Sequence, residues 1–206
     1  MSGSIFSVYL VHGYHEAYYQ LSDEQRNQFW DGVMKITAKV GSKTLLVCNS
    51  RWCDEAVGAW GVEEFPSLQA LQESARLHEE GNHYRYLRST TILGTKIEGA
   101  PIGTVTFPNP IYQLFLIKNQ DNNAREALTP EERDQKMAYV TGSIQQNGGV
   151  MLVYCDCNWS NEENAMFGVT AWPSLEAEQA HFRDLEKVGW HRYVYGRTIL
   201  GTALTM

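Results

Sequence analysis

Basic residues are scarce and scattered. The chain has 206 residues with 17 Lys and Arg against 24 Asp and Glu, a formal net charge of −7. A phosphate-binding surface needs a basic stripe, so nucleic acid is not an expected partner. Long apolar runs are missing as well, and none approaches the length that crosses a bilayer, so no membrane partner is expected. Met1-Ser2-Gly3-Ser4 leads directly into a strand-like run without the charged and apolar regions of a secretory signal, which makes the cytoplasm the expected location. Cysteine is limited to Cys48, Cys53, Cys155 and Cys157, with no C-x-x-C pair. Cys155-x-Cys157 would point both sulfurs to one strand face, and the favoured reading is buried free thiols rather than a zinc site. No G-x-S-x-G nucleophile motif occurs. Gly41, Gly148 and Gly149 follow helical patterns and lack a phosphate-loop context. No cofactor and no resident metal are expected.

What the chain does have is the same segment twice. Residues 83–95 (HYRYLRSTTILGT) and 190–202 (WHRYVYGRTILGT) align at an offset of 107, which pairs Arg85 with Arg192 and Gly94 with Gly201. The same offset pairs Cys48 with Cys155, Trp52 with Trp159, Gly61 with Gly168, and Pro66-Ser67-Leu68 with Pro173-Ser174-Leu175. The chain is an internal duplication of a unit of roughly a hundred residues. The expected domains are 1–104 and 105–206.

The unit can be read element by element. Ile5 to His12 and Ile111 to Lys118 are strand-like, rich in β-branched and aromatic residues. Ser22 with Gln25 and Thr129 with Glu132 are capping boxes, and Pro130 takes the first helical position. These helices run to about Val40 and Asn147. Strands follow at Thr44–Trp52 and Val150–Trp159, then at Val57–Phe65 and Ala165–Trp172. Second helices start after Pro66 and Pro173 and end near Glu80 and Val188. The repeated segment supplies each closing strand, and Glu98–Pro110 is the linker. Each copy is therefore β-α-β-β-α-β, the split ferredoxin-like unit. Helices cover one face of such a sheet, yet both strand faces are apolar: Phe6, Val8 and Leu10 on one, Ile5, Tyr9 and Val11 on the other. The expected fold class is α+β, with two ferredoxin-like repeats burying their open faces as one pseudo-twofold barrel.

This element order, the opening I-F-S-V-Y-L-V strand and the closing R-Y-x-x-x-x-T pattern resemble the dimeric α+β barrel superfamily. Its members include antibiotic-biosynthesis-monooxygenase-like, darcynin-like and polyketide-cyclase-like proteins. The resemblance implies a tandem-duplicated single chain and a range of activities: cofactor-independent oxygenases, cyclases, haem enzymes and domains with no known activity.

Polar positions that differ between the copies are where one half would specialise. If the repeated segment alternates from its first residue, one face carries Tyr84, Tyr86 and Arg88 in copy one. The same face carries His191, Tyr193 and Tyr195 in copy two. That face would line an aromatic pocket suited to a small aromatic or otherwise apolar molecule. Asn49 and Asp156 occupy equivalent positions on the second strands, and Asp156 would orient His191 as a general base. His12-Gly13-Tyr14-His15 ends the first strand of copy one, where copy two has Lys118-Asn119-Gln120-Asp121-Asn122. His12 and His15 would serve as acid/base groups at a pocket mouth, ligate a metal with His78 or His83, or be a solvated loop. The favoured function is a small-molecule-binding barrel with cofactor-independent chemistry on an aromatic or polyketide-like substrate: cyclisation, isomerisation, decarboxylation or oxygenation. Catalytic candidates are His191, His12 and Asp156; substrate-binding candidates are Tyr84, Tyr86, Arg88, Tyr193, Tyr195, Asn49 and His15. The alternatives are a non-catalytic ligand-binding or assembly protein and a histidine-ligated haem or metal enzyme. The assembly expected is a monomer or homodimer.

Overall fold

A computed structural model describes residues 3–118 and 123–204. Met1, Ser2 and the loop residues Asn119 to Asn122 named above lie outside the described residues. The chain is α+β and divides into two compact units, one running to Lys96 and taking in Leu204, the other spanning Ile97–Ala203. Ile97 and the start of the expected linker Glu98–Pro110 are held by the second unit. The Ile97 N–H donates to the Tyr154 carbonyl at 3.0 Å and the Gly103 N–H to the Met151 carbonyl at 2.8 Å.

The first half contains β1 (Ile5–Tyr14), α1 (Glu16–Tyr19), α2 (Asp23–Val40), β2 (Lys43–Asn49), β3 (Ala59–Phe65), α3 (Leu68–Glu80) and β4 (Leu87–Lys96). Its antiparallel sheet runs β2-β3-β1-β4. The second half contains β5 (Ile111–Lys118), α4 (Asn123–Glu126), α5 (Pro130–Gln146), β6 (Val150–Asp156), β7 (Asn164–Trp172), α6 (Leu175–Lys187) and β8 (Gly196–Ala203). Its order is β6-β7-β5-β8. Both are the expected ferredoxin-like unit.

Local chemistry sets the element ends. Ser22 and Thr129 accept from the backbone of Gln25 and Glu132 while those side chains reach back, so both capping boxes form. Ser67 and Ser174 cap α3 and α6, which places Pro66 and Pro173 one residue ahead of each cap. β2 and β6 stop earlier than expected. Asn49 and Asp156 each accept from the backbone N–H two residues on, at 3.0 Å, and this Asx turn ends the strand. Trp52 and Trp159 then lie in exposed turns rather than on strands.

The closing strands start later than expected. Asn82 and Gly189 adopt left-handed backbone conformations, φ 54° and 62°. They turn His83–Arg85 and Trp190–Arg192 into single 3-10 turns, so the strands begin only at Leu87 and Gly196. The assumed alternation therefore does not cover Tyr84, Tyr86, His191, Tyr193 or Tyr195.

On the face turned away from the helices, Val8, Cys48, Trp60 and Val62 are fully buried in the first half, as are Leu114, Cys155, Phe167 and Ile199 in the second. Each sheet also repeats a close crossing. Gly61 pairs with Tyr9 and Gly168 with Phe115, and those rings lie across the glycines. A Cβ at either glycine would meet the ring and sit 2.8 Å from a backbone carbonyl, Leu46 or Val153. Gly61→Ala and Gly168→Ala should each destabilise the fold by about 1–3 kcal/mol, the usual range for overpacking. Urea unfolding measures it, and a neutral substitution would contradict the packing described.

Candidate functional site

The second half holds a cavity of about 150 Å³ between its sheet and its two long helices. Its roof follows helical spacing: Met137, Val140, Thr141 and Ile144 on α5, and Glu178, His181, Phe182 and Leu185 on α6. Its floor follows strand register. Gln113, Thr170 and Met151 form one cross-strand row, and Phe115, Gly168 and Tyr154 form the next. Trp190, His191, Val194 and Arg197 border one end.

Polar groups in this half form two chains. The Trp172 indole N–H donates to Gln113 Oε1 at 3.0 Å, and Gln113 Nε2 donates to Glu178 Oε1 at 3.2 Å. Burial pushes the Glu178 carboxyl above its ordinary range. The second chain centres on His181, which is 5% exposed. Ser143 Oγ donates to Asp184 Oδ2 at 2.9 Å and lies 3.0 Å from His181 Nδ1. A carboxylate only accepts, so it takes the single Ser143 hydroxyl hydrogen, and the His181 Nδ1–H donates to the oxygen. Lys187 Nζ at 2.7 Å and Asn147 Nδ2 at 3.0 Å also donate to Asp184, holding its carboxyl well below the usual range. The His181 ring packs on Trp172 with centroids 5.1 Å apart. Burial lowers the His181 pKa to about 4, with Asp184 opposing, so the ring is neutral near pH 7. Nδ1 carries its proton, and Nε2 is left as a bare acceptor at the cavity wall. In the same wall Thr170, 1% exposed, has a buried Oγ1 with no hydrogen-bond partner among the described residues.

His181, Ser143, Asp184 and Thr170 were not among the sequence candidates. The duplication carried the signal: at offset 107 the first half has Ser74, Ile36, Leu77 and Glu63 in their places.

The sequence candidates are dispersed. His191 borders the cavity, its ring 5.0 Å from that of Phe182. Asp156 does not orient it: Asp156 is engaged with Asn158 at the end of β6, and β6 and β8 are opposite edges of this half's sheet. Asn49 serves the equivalent turn in the first half. Tyr193 lies outside the main cavity, beside a smaller hollow of about 80 Å³, with Lys136 Nζ 4.2 Å from its ring centroid. Tyr195 and Tyr84 are exposed, and Tyr86 packs edge-on to Phe29.

His12 occupies a β-bulge between Val11 and Gly13. Its Nδ1 lies 3.1 Å from the Ala56 carbonyl and its Nε2 2.9 Å from Thr90 Oγ1, so both ring nitrogens are used in joining β1, β4 and the loop before β3. Arg88 Nη2 donates to the His12 carbonyl at 3.3 Å. His15 stands at the N-cap position of the short α1 without a side-chain capping bond, and its N–H donates to the Tyr86 carbonyl. His78 and His83 pack on each other, not with His12 or His15. Among the described residues no three His, Cys, Asp or Glu side chains converge as a metal site, and no helix is long and apolar enough to cross a membrane.

No family model and no curated sequence matches the chain. Solved structures do match. Chlorite dismutase from Candidatus Nitrospira defluvii in complex with imidazole is 14% identical, with a TM-score of 0.80 over 98% of this chain and 91% of that one. A tryptophan mutant of that enzyme in complex with cyanide gives 14% and 0.78 over 98% and 91%. An arginine mutant gives 13% and 0.80 over 100% and 93%. At these identities the likeness shows the fold alone: two ferredoxin-like halves in tandem, as in chlorite dismutase.

His181 also sets a pH dependence. A histidine in the unfolded chain takes up a proton near its ordinary pKa of 6.5, whereas the folded ring resists protonation down to about 4. The unfolded state therefore binds more protons in that window. Stability is complete above pH 6.5 and should fall toward pH 4, by on the order of 3 kcal/mol from this residue. His78, lowered by burial and by His83, adds in the same direction. Urea melts across that window should show the fall, and His181→Leu should flatten it. Equal slopes for both proteins would contradict a buried neutral His181.

Proposed function

We propose that the protein binds a small single-ring molecule in the cavity of its second half, with His181 Nε2 as the polar contact that orients it. The observation behind this reading is a 95% buried histidine, held through Nδ1 by Ser143, in a cavity whose walls are mostly apolar and also carry Gln113, Glu178, His191 and Arg197. Such a group accepts a hydrogen bond, and because the ring resists protonation down to about pH 4 it orients the bound molecule rather than taking its proton. The apolar walls would exclude water from that contact.

Imidazole and cyanide, bound by the chlorite dismutase structures, are ligands that seek metal ions, which favours a histidine-ligated haem or metal site as the second reading. The donor chemistry in this chain suits it, because a porphyrin needs only one imidazole and His181 has the second-sphere support that metal-bound histidines carry. The inner part of the pocket, about 150 Å³, matches a single ring, and because the pocket opens to solvent a porphyrin would have to extend beyond that inner space. A bare metal ion lacks a converging donor set among the described residues. No step is assigned to either group.

Amide NMR during titration with phenol tests the proposal. Saturable shifts should centre on α5, α6, β5 and β7, and should vanish in Val140→Trp, which fills the cavity. Absence of saturable binding would refute the proposal. Stoichiometric uptake of hemin with a Soret band that moves in His181→Ala would replace it with the haem reading.

A further inference from the structure

The hydrogen-bond direction at His181 also selects among single-ring molecules, an inference that rests on the cavity being the binding site. Asp184 cannot donate, so the Ser143 hydrogen points to it at 2.9 Å and the His181 Nδ1–H is committed to Ser143 Oγ at 3.0 Å. Asn147 Nδ2 spends its two hydrogens on the Ser143 carbonyl at 2.9 Å and Asp184 Oδ2 at 3.0 Å, which fixes the carboxylate beside the Ser143 hydroxyl. A second tautomer would bring Ser143 two demands for its one hydrogen, so that either the buried Nδ1 goes unmet or Asp184, at the solvent edge of the site, gives up its bond from Ser143 and keeps those from Lys187 and Asn147. The Nδ1–H tautomer, which satisfies all three groups at once, is therefore held, and in it the nitrogen left to the ligand only accepts.

We infer that the cavity selects a planar five- or six-membered ring carrying an O–H or N–H donor, of the phenol or pyrrole type, and discriminates against rings that only accept, of the pyridine type. An acceptor placed against Nε2 would bring two lone pairs together without water between them, whereas a donor completes the only unused polar position on the ring. The depressed pKa of His181 agrees, since a neutral ring keeps Nε2 unprotonated near pH 7.

Calorimetric titration of the full chain with benzene, phenol, pyrrole and pyridine near neutral pH separates size from hydrogen bonding. Phenol and pyrrole should bind about tenfold more tightly than benzene, the worth of one buried hydrogen bond, and pyridine more weakly than benzene. His181→Leu should level the series while keeping benzene binding. Ser143→Ala, which keeps the imidazole but frees its tautomer, should narrow the gap between phenol and pyridine; an unchanged gap would overturn the lock. Equal binding of phenol and benzene, or pyridine ahead of phenol, would overturn the inference and leave the cavity as a single-ring site. Failure of all four rings to bind would overturn the proposed site itself.

Discussion

Ser143 has one hydroxyl hydrogen, and Asp184 takes it. From that the rest of the second half's chemistry follows. Asp184 is held ionised by Lys187 and Asn147, so it stays an acceptor. Ser143 must then receive from His181, whose Nδ1 proton is fixed and whose Nε2 is bare. Burial against Trp172 keeps the ring neutral. A surface ion pair such as Lys187 with Asp184 contributes little stability by itself. Its role here is directional, since it decides which way the hydrogen bonds run into the interior.

The duplication explains how one half came to carry this arrangement without a new backbone. Both halves keep the same capping boxes, the same Asx turn after the second strand, and the same ring-over-glycine crossing. They keep the same bulge in the second strand too, between Thr44 and Leu46 and between Met151 and Val153. The shared features are those the backbone needs. The differences collect in the layer between helices and sheet. There the first half has Ile36, Leu77 and Ser74 where the second has Ser143, Asp184 and His181. In the first half His83 is buried against Phe29 beneath Gly32, where a Cβ would lie 3.2 Å from the imidazole. Its counterpart Trp190 instead borders the cavity of the second half.

Much of the fold was legible because it depends on neighbours in sequence. A serine three residues before a glutamine, or a glycine after a helix, states its local geometry whatever surrounds it. The closing strand starts later than its alternation suggests for a local reason: Gly81-Asn82 and Gly189 are turn formers, and the left-handed Asn82 and Gly189 curl three residues before extension resumes. Unbroken alternation would put Tyr84, Tyr86, His191, Tyr193 and Tyr195 onto a strand face they do not share. The site was less legible because it is made between elements. Ser143 and His181 are 38 residues apart and meet only when α5 packs on α6. Nothing in A-E-Q-A-H-F-R-D announces a buried histidine except its contrast with the equivalent helix of the other copy. Asp156 and Asn49 misled for the opposite reason: polar residues near a strand end more simply close a turn.

The central claim is the protonation state of a single ring, and nitrogen NMR reads it directly. With histidine labelled at both ring nitrogens and His181 assigned by its leucine variant, the spectrum near neutral pH should show a protonated Nδ1. Nε2 should appear with the downfield shift of an unprotonated nitrogen, unchanged until the pH approaches 4. An Nε2–H tautomer, or a ring that titrates at its ordinary pKa near 6.5, would contradict the account.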